Sequence, residues 1–311
     1  MLLLAIASGI AVADLYYVQP LLVTLGGAFH VPGSRTGLFV TLTQIGYACG
    51  LLFLVPLGDL FDRRSLILGF FGVGSAGLAF AALSPSASLF AVASVLIGLL
   101  SVSAQIIVPY AAHMANDSSR GKTVGTVMSG LLIGILLART FAGIISHIAG
   151  WRTVYVAGAG LLLLLMAVMW RLLPSQPAER TVGSYPQLLA SIVRLVRTQP
   201  VLRLRSLYGA CVFGAFSVFW TSVTFLLARA PYHYNDAVIG LFGLFGVAGA
   251  LAASFAGRLA DRGHAHVGTG AFLLLALASF GASAWGGAHL AGVIAGVLLL
   301  DLGVQGTHIL N

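Results

Sequence analysis

The chain has 311 residues, 59% of them hydrophobic and 8% charged, with a mean hydropathy of +1.01 and a formal net charge of +8. Soluble proteins carry about a quarter charged residues, so this composition excludes a water-soluble globular domain and identifies an all-α integral membrane protein. The two cysteines, Cys49 and Cys211, lie inside apolar runs, which excludes a disulfide framework and a cysteine-ligated metal site.

A bilayer-spanning helix needs about 20 apolar residues, and proline, glycine and charge divide the chain into about ten such runs. They are Leu2–Leu25, Thr36–Leu57, Leu66–Leu83, Leu89–Pro109, Thr123–Ser146, Thr153–Leu173, Leu207–Ala228, Val238–Ala256, Val267–Trp285 and Leu290–Leu310. The first run imitates a cleaved signal, with Ala11-Val12-Ala13 ahead of Asp14. It lacks a basic lead, however, and stays apolar through Leu21-Leu22-Val23, so it reads as a helix. After the second run comes Gly58-Asp59-Leu60-Phe61-Asp62-Arg63, and after the eighth Gly257-Arg258-Leu259-Ala260-Asp261-Arg262, an offset of 199 (257 − 58). A charged turn repeated between helices points to two related halves. The polar stretch Pro174–Ser206 is broken by Pro177, Pro186 and Pro200 and reads as a central linker. Within it, Leu189 to Arg197 is expected as an amphipathic helix at the membrane surface.

The basic residues orient this map. With the amino terminus in the cytoplasm, twelve Lys and Arg fall in cytoplasmic segments, among them Arg63, Arg64, Arg120, Lys122, Arg258 and Arg262, whereas Arg35, Arg152 and Arg229 face the other side. That is the positive-inside pattern. The net charge is therefore topological and implies no nucleic-acid partner.

The motif after helix 2, its weaker copy after helix 8, Gly150-Trp151-Arg152 before helix 6 and Ala13-Asp14-Leu15-Tyr16-Tyr17-Val18-Gln19-Pro20-Leu21-Leu22 in helix 1 carry a resemblance. The chain resembles the major facilitator superfamily, and within it the bacterial drug and sugar efflux branch. The resemblance implies two six-helix bundles, residues 1–173 and 207–311, joined by a cytoplasmic linker, 174–206. Because the chain stops inside helix 10, the second bundle is expected to be incomplete. The resemblance assigns a gating role to Gly58, Asp59, Asp62 and Arg63, and to Gly257, Asp261 and Arg262. A carboxylate at a helix N-terminus is favoured by the helix dipole, and an arginine can tie it in place. A solvated turn that only serves topology is the plainer alternative. The sequence departs from the family pattern after Arg63, where Arg64-Ser65-Leu66 replaces the usual glycine and basic pair.

Apart from Arg171 at the very end of its run, only Asp14, Arg139 and Asp301 are charged within the predicted helices, and each costs about 2.5–3.5 kcal/mol at the bilayer centre on insertion scales. Such groups face a cavity or a partner. In the family fold, helices 1, 4, 7 and 10 line the central cavity, which places Asp14 and Asp301 there. Asp301, Gln305 and His308 are spaced i, i+4 and i+7 and share one helix face. Asp301, with Asp14, is expected to exchange protons, with His308 as a relay; substrate binding or structural pairing with Arg139 is the alternative. Arg139 lies in the glycine-containing run Gly134–Gly143, which lacks the Gly-Pro pair of family antiporters. A structural tie and contact with an anionic substrate are equally open for it. Tyr17, one turn from Asp14, is the expected cavity residue of helix 1, and Gln19 rests on the resemblance. Gln44, Gln105, Trp220 and Gln305 complete the expected lining.

Gly72-Val73-Gly74-Ser75-Ala76-Gly77 matches a dinucleotide fingerprint, but no strand precedes it, so it reads as helix packing. The pairs Gly46–Gly50, Gly130–Gly134 and Gly292–Gly296 read the same way. His264-Ala265-His266 is too sparse for a metal site, and Asn116-Asp117-Ser118 is a sequon in a cytoplasmic loop. No nucleophile–base pair, metal set or nucleotide loop converges, so neither an enzyme nor a cofactor is expected. The expected function is a monomeric secondary transporter of the inner membrane, exporting small organic molecules on the proton gradient. A sugar or metabolite facilitator and a non-transporting scaffold or fragment are the alternatives.

Overall fold

The computed structural model describes residues 1–116, 119–175, 184–246, 249, 256, 259, 265–285 and 289–311, and these are helical or in turns. Among the described residues, eight helices are long and apolar enough to cross a bilayer, and Leu2–Ala13 and Asp236–Gly246 are shorter apolar helices.

The first predicted span is two helices, α1 (Leu2–Ala13) and α2 (Leu22–Phe29), joined by turns over 14–21. Pro20 explains the break: it has no N–H for the Tyr16 carbonyl, and its ring crowds the preceding turn. The joint closes instead with tighter bonds, Gln19 N–H to Tyr16 C=O at 3.2 Å and Leu21 N–H to Val18 C=O at 3.2 Å. Mid-depth backbone is thus left irregular within a buried segment.

There follow α3 (Gly33–Phe53), which runs into a 3-10 turn at Val55–Asp59, α4 (Arg63–Leu83), α5 (Ala87–Leu100), α6 (Ser103–Met114), α7 (Arg120–Ala149) and α8 (Trp151–Leu172). The amphipathic segment forms α9 (Tyr185–Thr198), which buries no residue. Its capping box pairs Ser184 with Gln187, and Tyr185 donates to the Phe53 carbonyl at 2.8 Å. Beyond it lie α10 (Pro200–Ala228), α11 (Asp236–Leu241) with a 3-10 turn at Phe242–Gly246, α12 (Ala265–Trp285) and α13 (Leu290–Leu310).

Glycine brings neighbouring helices to backbone contact, as membrane packing without a hydrophobic drive requires. A Cβ on Gly98 of α5 would fall on the Thr43 carbonyl of α3, and one on Gly46 would fall on the Val95 carbonyl. Gly9 of α1 meets Gly130 and Gly134 of α7, and Gly296 and Gly303 of α13 meet α12. Gly74 packs against Leu162 of α8, so the glycine-rich run of α4 is helix packing. At Gly150 the backbone turns left-handed, φ 86°, which lets α8 fold back along α7. Trp151 then joins Phe29, Phe39, Phe90 and Tyr155 in an aromatic cluster with centroid separations of 4.9 to 6.3 Å.

The helices before residue 173 and those after residue 200 meet near the end that carries residues 29–36 and 229–236. There Gly143 of α7 faces Asp236 and Gly240 of α11, and Gly37 of α3 faces Thr221 of α10. The other end carries Arg63, Arg64, Arg120, Lys122 and the arginines of α9 and α10, and is called the basic end below.

Replacing Gly98 by alanine is expected to cost about 1–3 kcal/mol through overpacking against α3. Gly69→Ala, where nothing lies within 4 Å, is expected to be neutral; thermal midpoints of the two purified variants test the contrast.

Candidate functional site

Arg139, about two-thirds of the way along α7, is 3% exposed, and its Nε donates to Gln19 Oε1 at 2.7 Å. The break in the first span is what presents Gln19: Tyr16 and Gln19 are three residues apart on the 14–21 joint and share its inner side. Around the guanidinium stand Trp220 at 4.0 Å, Tyr16 at 4.8 Å and Phe216 at 5.4 Å from ring centroid to Cζ. Cation–π attraction of this kind partly replaces lost hydration. Glycines of the segment after α11 leave room for both charges: a Cβ on Gly243 would lie 3.0 Å from Arg139 Cβ, and one on Gly246 2.9 Å from Asp301 Oδ2.

Asp301 of α13 is buried and interacts with the Arg139 charge and with the Trp220 indole. No ion pair of 4.0 Å or less joins Arg139 to Asp301. Arg139 Nη2, Gln19 Nε2 and Trp220 Nε1 close no hydrogen bond. A buried pair left open in this way is costly. Opposite charges, unspent donors and flat aromatic walls therefore meet where the two groups of helices touch.

The expected site residues separate into groups. Asp301, Gln305 and His308 do share one face, running from buried through half-buried to exposed at the basic end; Gln305 Cγ lies 2.7 Å from where a Cβ on Gly249 would stand. Trp220, Gln19 and Arg139 join Asp301. Asp14 does not. It is enclosed within the first group of helices, among Phe70, Phe71, Ile97, Leu162, Ser101 and Ser103, with Tyr17 and Tyr155 as further polar neighbours. Tyr17 turns the same way: its ring lies 5.6 Å from that of Phe141, tilted by 32°, and borders an apolar cleft of about 460 Å³ between α1 and α7. Tyr16, which the one-turn spacing from Asp14 passes over, takes the place beside Arg139. Gln105 donates to the Tyr47 hydroxyl at 3.1 Å, and both polar atoms of Gln44 are buried without a partner.

In the first charged motif, Asp62 caps α4 by accepting from Ser65 N at 2.9 Å and Oγ at 2.6 Å, and it accepts from Ser175 at 3.2 Å. Arg63 donates to the Gly58 carbonyl at 3.1 Å and lies 3.6 Å from Asp59; Arg64 donates to the Trp170 carbonyl. Of these partners, Ser175 lies just past α8 at the start of the linker segment, and the others belong to the first group of helices. The second copy, with Gly257, Asp261 and Arg262, lies outside the described residues, as do Asp117, Ser118 and His264.

One functional candidate had no counterpart in the sequence reading. Asp236, in the first turn of α11, accepts from Thr24 of α2 and from Ser146 of α7, each at 2.7 Å. Beside it Thr140 donates to the Gly240 carbonyl at 3.0 Å. One carboxylate thus fastens both groups of helices at the end opposite the basic one. The only local signal is the cap Asn235, which accepts from Val238 N at 3.0 Å and marks where α11 begins.

Known proteins support this architecture. The sequence model of the Major Facilitator Superfamily matches residues 4–310. The uncharacterized transporter YgaY of Escherichia coli O157:H7 is 48% identical over 309 residues, covering 99% of this chain and 78% of that protein. The "Probable transporter SCO4007" of Streptomyces coelicolor is 34% identical over 311 residues, with 99% and 72% covered. The nucleoside transporter NupG superposes with a TM-score of 0.76 at 13% identity, over 99% of this chain and 80% of that one. A partially occluded, inward-open structure of the xylose transporter XylE from E. coli gives 0.71 at 16% identity, over 99% and 81%.

Asp236→Ala removes two hydrogen bonds and is expected to destabilise the contact at this end by about 1–3 kcal/mol, a shift of roughly 5- to 150-fold in population. Spin labels at exposed Ser34 and Arg229 report it as a longer distance distribution in the variant.

Proposed function

The chain belongs to the major facilitator superfamily, and from that premise we propose that it exports small organic molecules at the expense of the proton gradient. One central site is exposed to the two sides of the membrane in turn. The observation that carries the reading is the open Arg139–Asp301 pair: two opposite charges on different helices, buried and unjoined, where the two helix groups meet. Intramembrane charges of this kind are a standing pointer to a substrate or proton pathway.

In this reading residues 1–173 and 207–311 rock against each other, and the segment 174–206 links them. The positive-inside distribution supports a cytoplasmic basic end and a cytoplasmic amino terminus, with the chain in the inner membrane of a bacterial cell. Asp236 then closes the outer end, and the face bearing Asp301, Gln305 and His308 leads from the site toward the cytoplasm. Asp301 is the group that takes the proton, because a proton there cancels its hold on Arg139 and changes what binds the two helix groups together. Gln19, Tyr16, Trp220 and Phe216 position the guanidinium and line the site. Asp14, shut inside the first group with Tyr17, has a structural part. Asp59, Asp62 and Arg63 shape the cytoplasmic end of α4. The transporter works as a monomer without a cofactor.

The test reconstitutes the protein in proteoliposomes carrying a pH-sensitive dye and adds a panel of small organic molecules against an imposed pH gradient. Compounds that discharge the gradient through the wild type are expected to lose at least about tenfold in rate with Asp301→Asn. An undiminished response in that variant, or no proton movement with any compound, overturns the reading.

A further inference from the structure

The Arg139–Asp301 site has a charge pattern that selects among ligands. On one side, Arg139 Nη2 and Gln19 Nε2 are buried donors without an acceptor. On the other, Asp301 offers a carboxylate that no ion pair of 4.0 Å or less neutralises. Between and beside them lie the faces of Trp220, Tyr16 and Phe216.

Each simple ligand class leaves one side unsatisfied. An organic anion satisfies Arg139 and Gln19 but meets the Asp301 charge. A cation satisfies Asp301 and can rest on the rings, but meets the guanidinium. A neutral polyol supplies acceptors and donors yet leaves both charges without counter-charges in a medium of low dielectric. A molecule bearing both charges answers both sides and carries no net charge into the membrane.

We propose that the ligand of this site is a small zwitterion of the amino-acid type, its carboxylate held by Arg139 and Gln19 and its ammonium by Asp301. The guanidinium fork takes the carboxylate as a charge-assisted pair, Trp220 and Phe216 pack against the apolar body, and the rings add cation–π attraction for the ammonium. The inference rests on the transport reading of the same site and deepens it. The ligand ammonium and the coupling proton compete for one carboxylate, so occupancy by one excludes the other, as exchange requires.

The experiment measures equilibrium binding by calorimetry to the purified full chain in detergent, where no gradient exists. The probes are matched sets: phenylalanine with 3-phenylpropanoate and 2-phenylethylamine, and leucine with 4-methylpentanoate and 3-methylbutylamine. In at least one set the zwitterion is expected to bind about tenfold or more tighter than either single-charge analogue. Asp301→Asn is expected to abolish the margin over the carboxylate analogue, and Arg139→Lys to retain part of the margin over the amine. If in both sets a single-charge analogue binds as well as its zwitterion, or no zwitterion binds, the inference is overturned. The wild-type ranking needs no variant to fold. A zwitterion that binds without moving protons in proteoliposomes refutes the proton coupling alone; compounds of another charge class that move protons refute this inference alone.

Discussion

The structure turns on one buried cation. Arg139 sits where α7, the joint of the first span, α10 and the segment after α11 come together, and its guanidinium has little water to solvate it. Its surroundings therefore follow from what a desolvated arginine requires: an oxygen acceptor from Gln19, ring faces from Trp220, Tyr16 and Phe216, and glycines that let backbone approach without a side chain. What the protein does not supply is an ion pair with Asp301. A charge pair brought near but left open holds interaction energy that a ligand or a proton can claim.

Two features make that arrangement possible. Pro20 breaks the first span at mid-depth, so Gln19 and Tyr16 face the site where an unbroken helix would have continued its regular rotation. Small residues elsewhere bring α3 to α5, α1 to α7, and α7 to α11 at backbone contact. The first two contacts tie the first group of helices together. The third lies between the groups, and the Asp236 hydrogen bonds to Thr24 and Ser146 fasten it at the end opposite the basic one. Among the described residues, one end of the contact between the groups is thus fastened by a carboxylate, and the charged site lies between that end and the polar face of Asp301, Gln305 and His308.

Much of this was legible residue by residue. The apolar runs, the linker with its amphipathic helix, the glycine packing pairs and the shared face of Asp301, Gln305 and His308 all follow from local composition and helical period. Charges in an apolar helix announce themselves, so Asp14, Arg139 and Asp301 stood out as candidates. The ten apolar runs correspond to eight helices of spanning length because Pro20 divides the first and because the described part of the eighth is short. The reading went astray in direction where the helix was not regular: Asp14 and Tyr17 share a face three residues apart, but that face is turned into the first group of helices, and Tyr16 with Gln19 looks toward Arg139. The same spacing argument, applied to Tyr16 and Gln19, contains the signal.

The sequence by itself determined the membrane class, the order of helices, the family and the identity of the intramembrane charges, because these depend on composition, on period and on short motifs. Only the tertiary structure decided which charges meet. It separated Asp14 from Asp301, paired Gln19 with Arg139, and put Asp236 between two helices more than 80 residues away from it in the chain, as its bonds to Ser146 (90 residues) and Thr24 (212 residues) record. The physical reason is that a helix's rotation about its axis, and the neighbour it turns toward, are set by packing against distant segments and by breaks such as the one at Pro20, neither of which local spacing encodes.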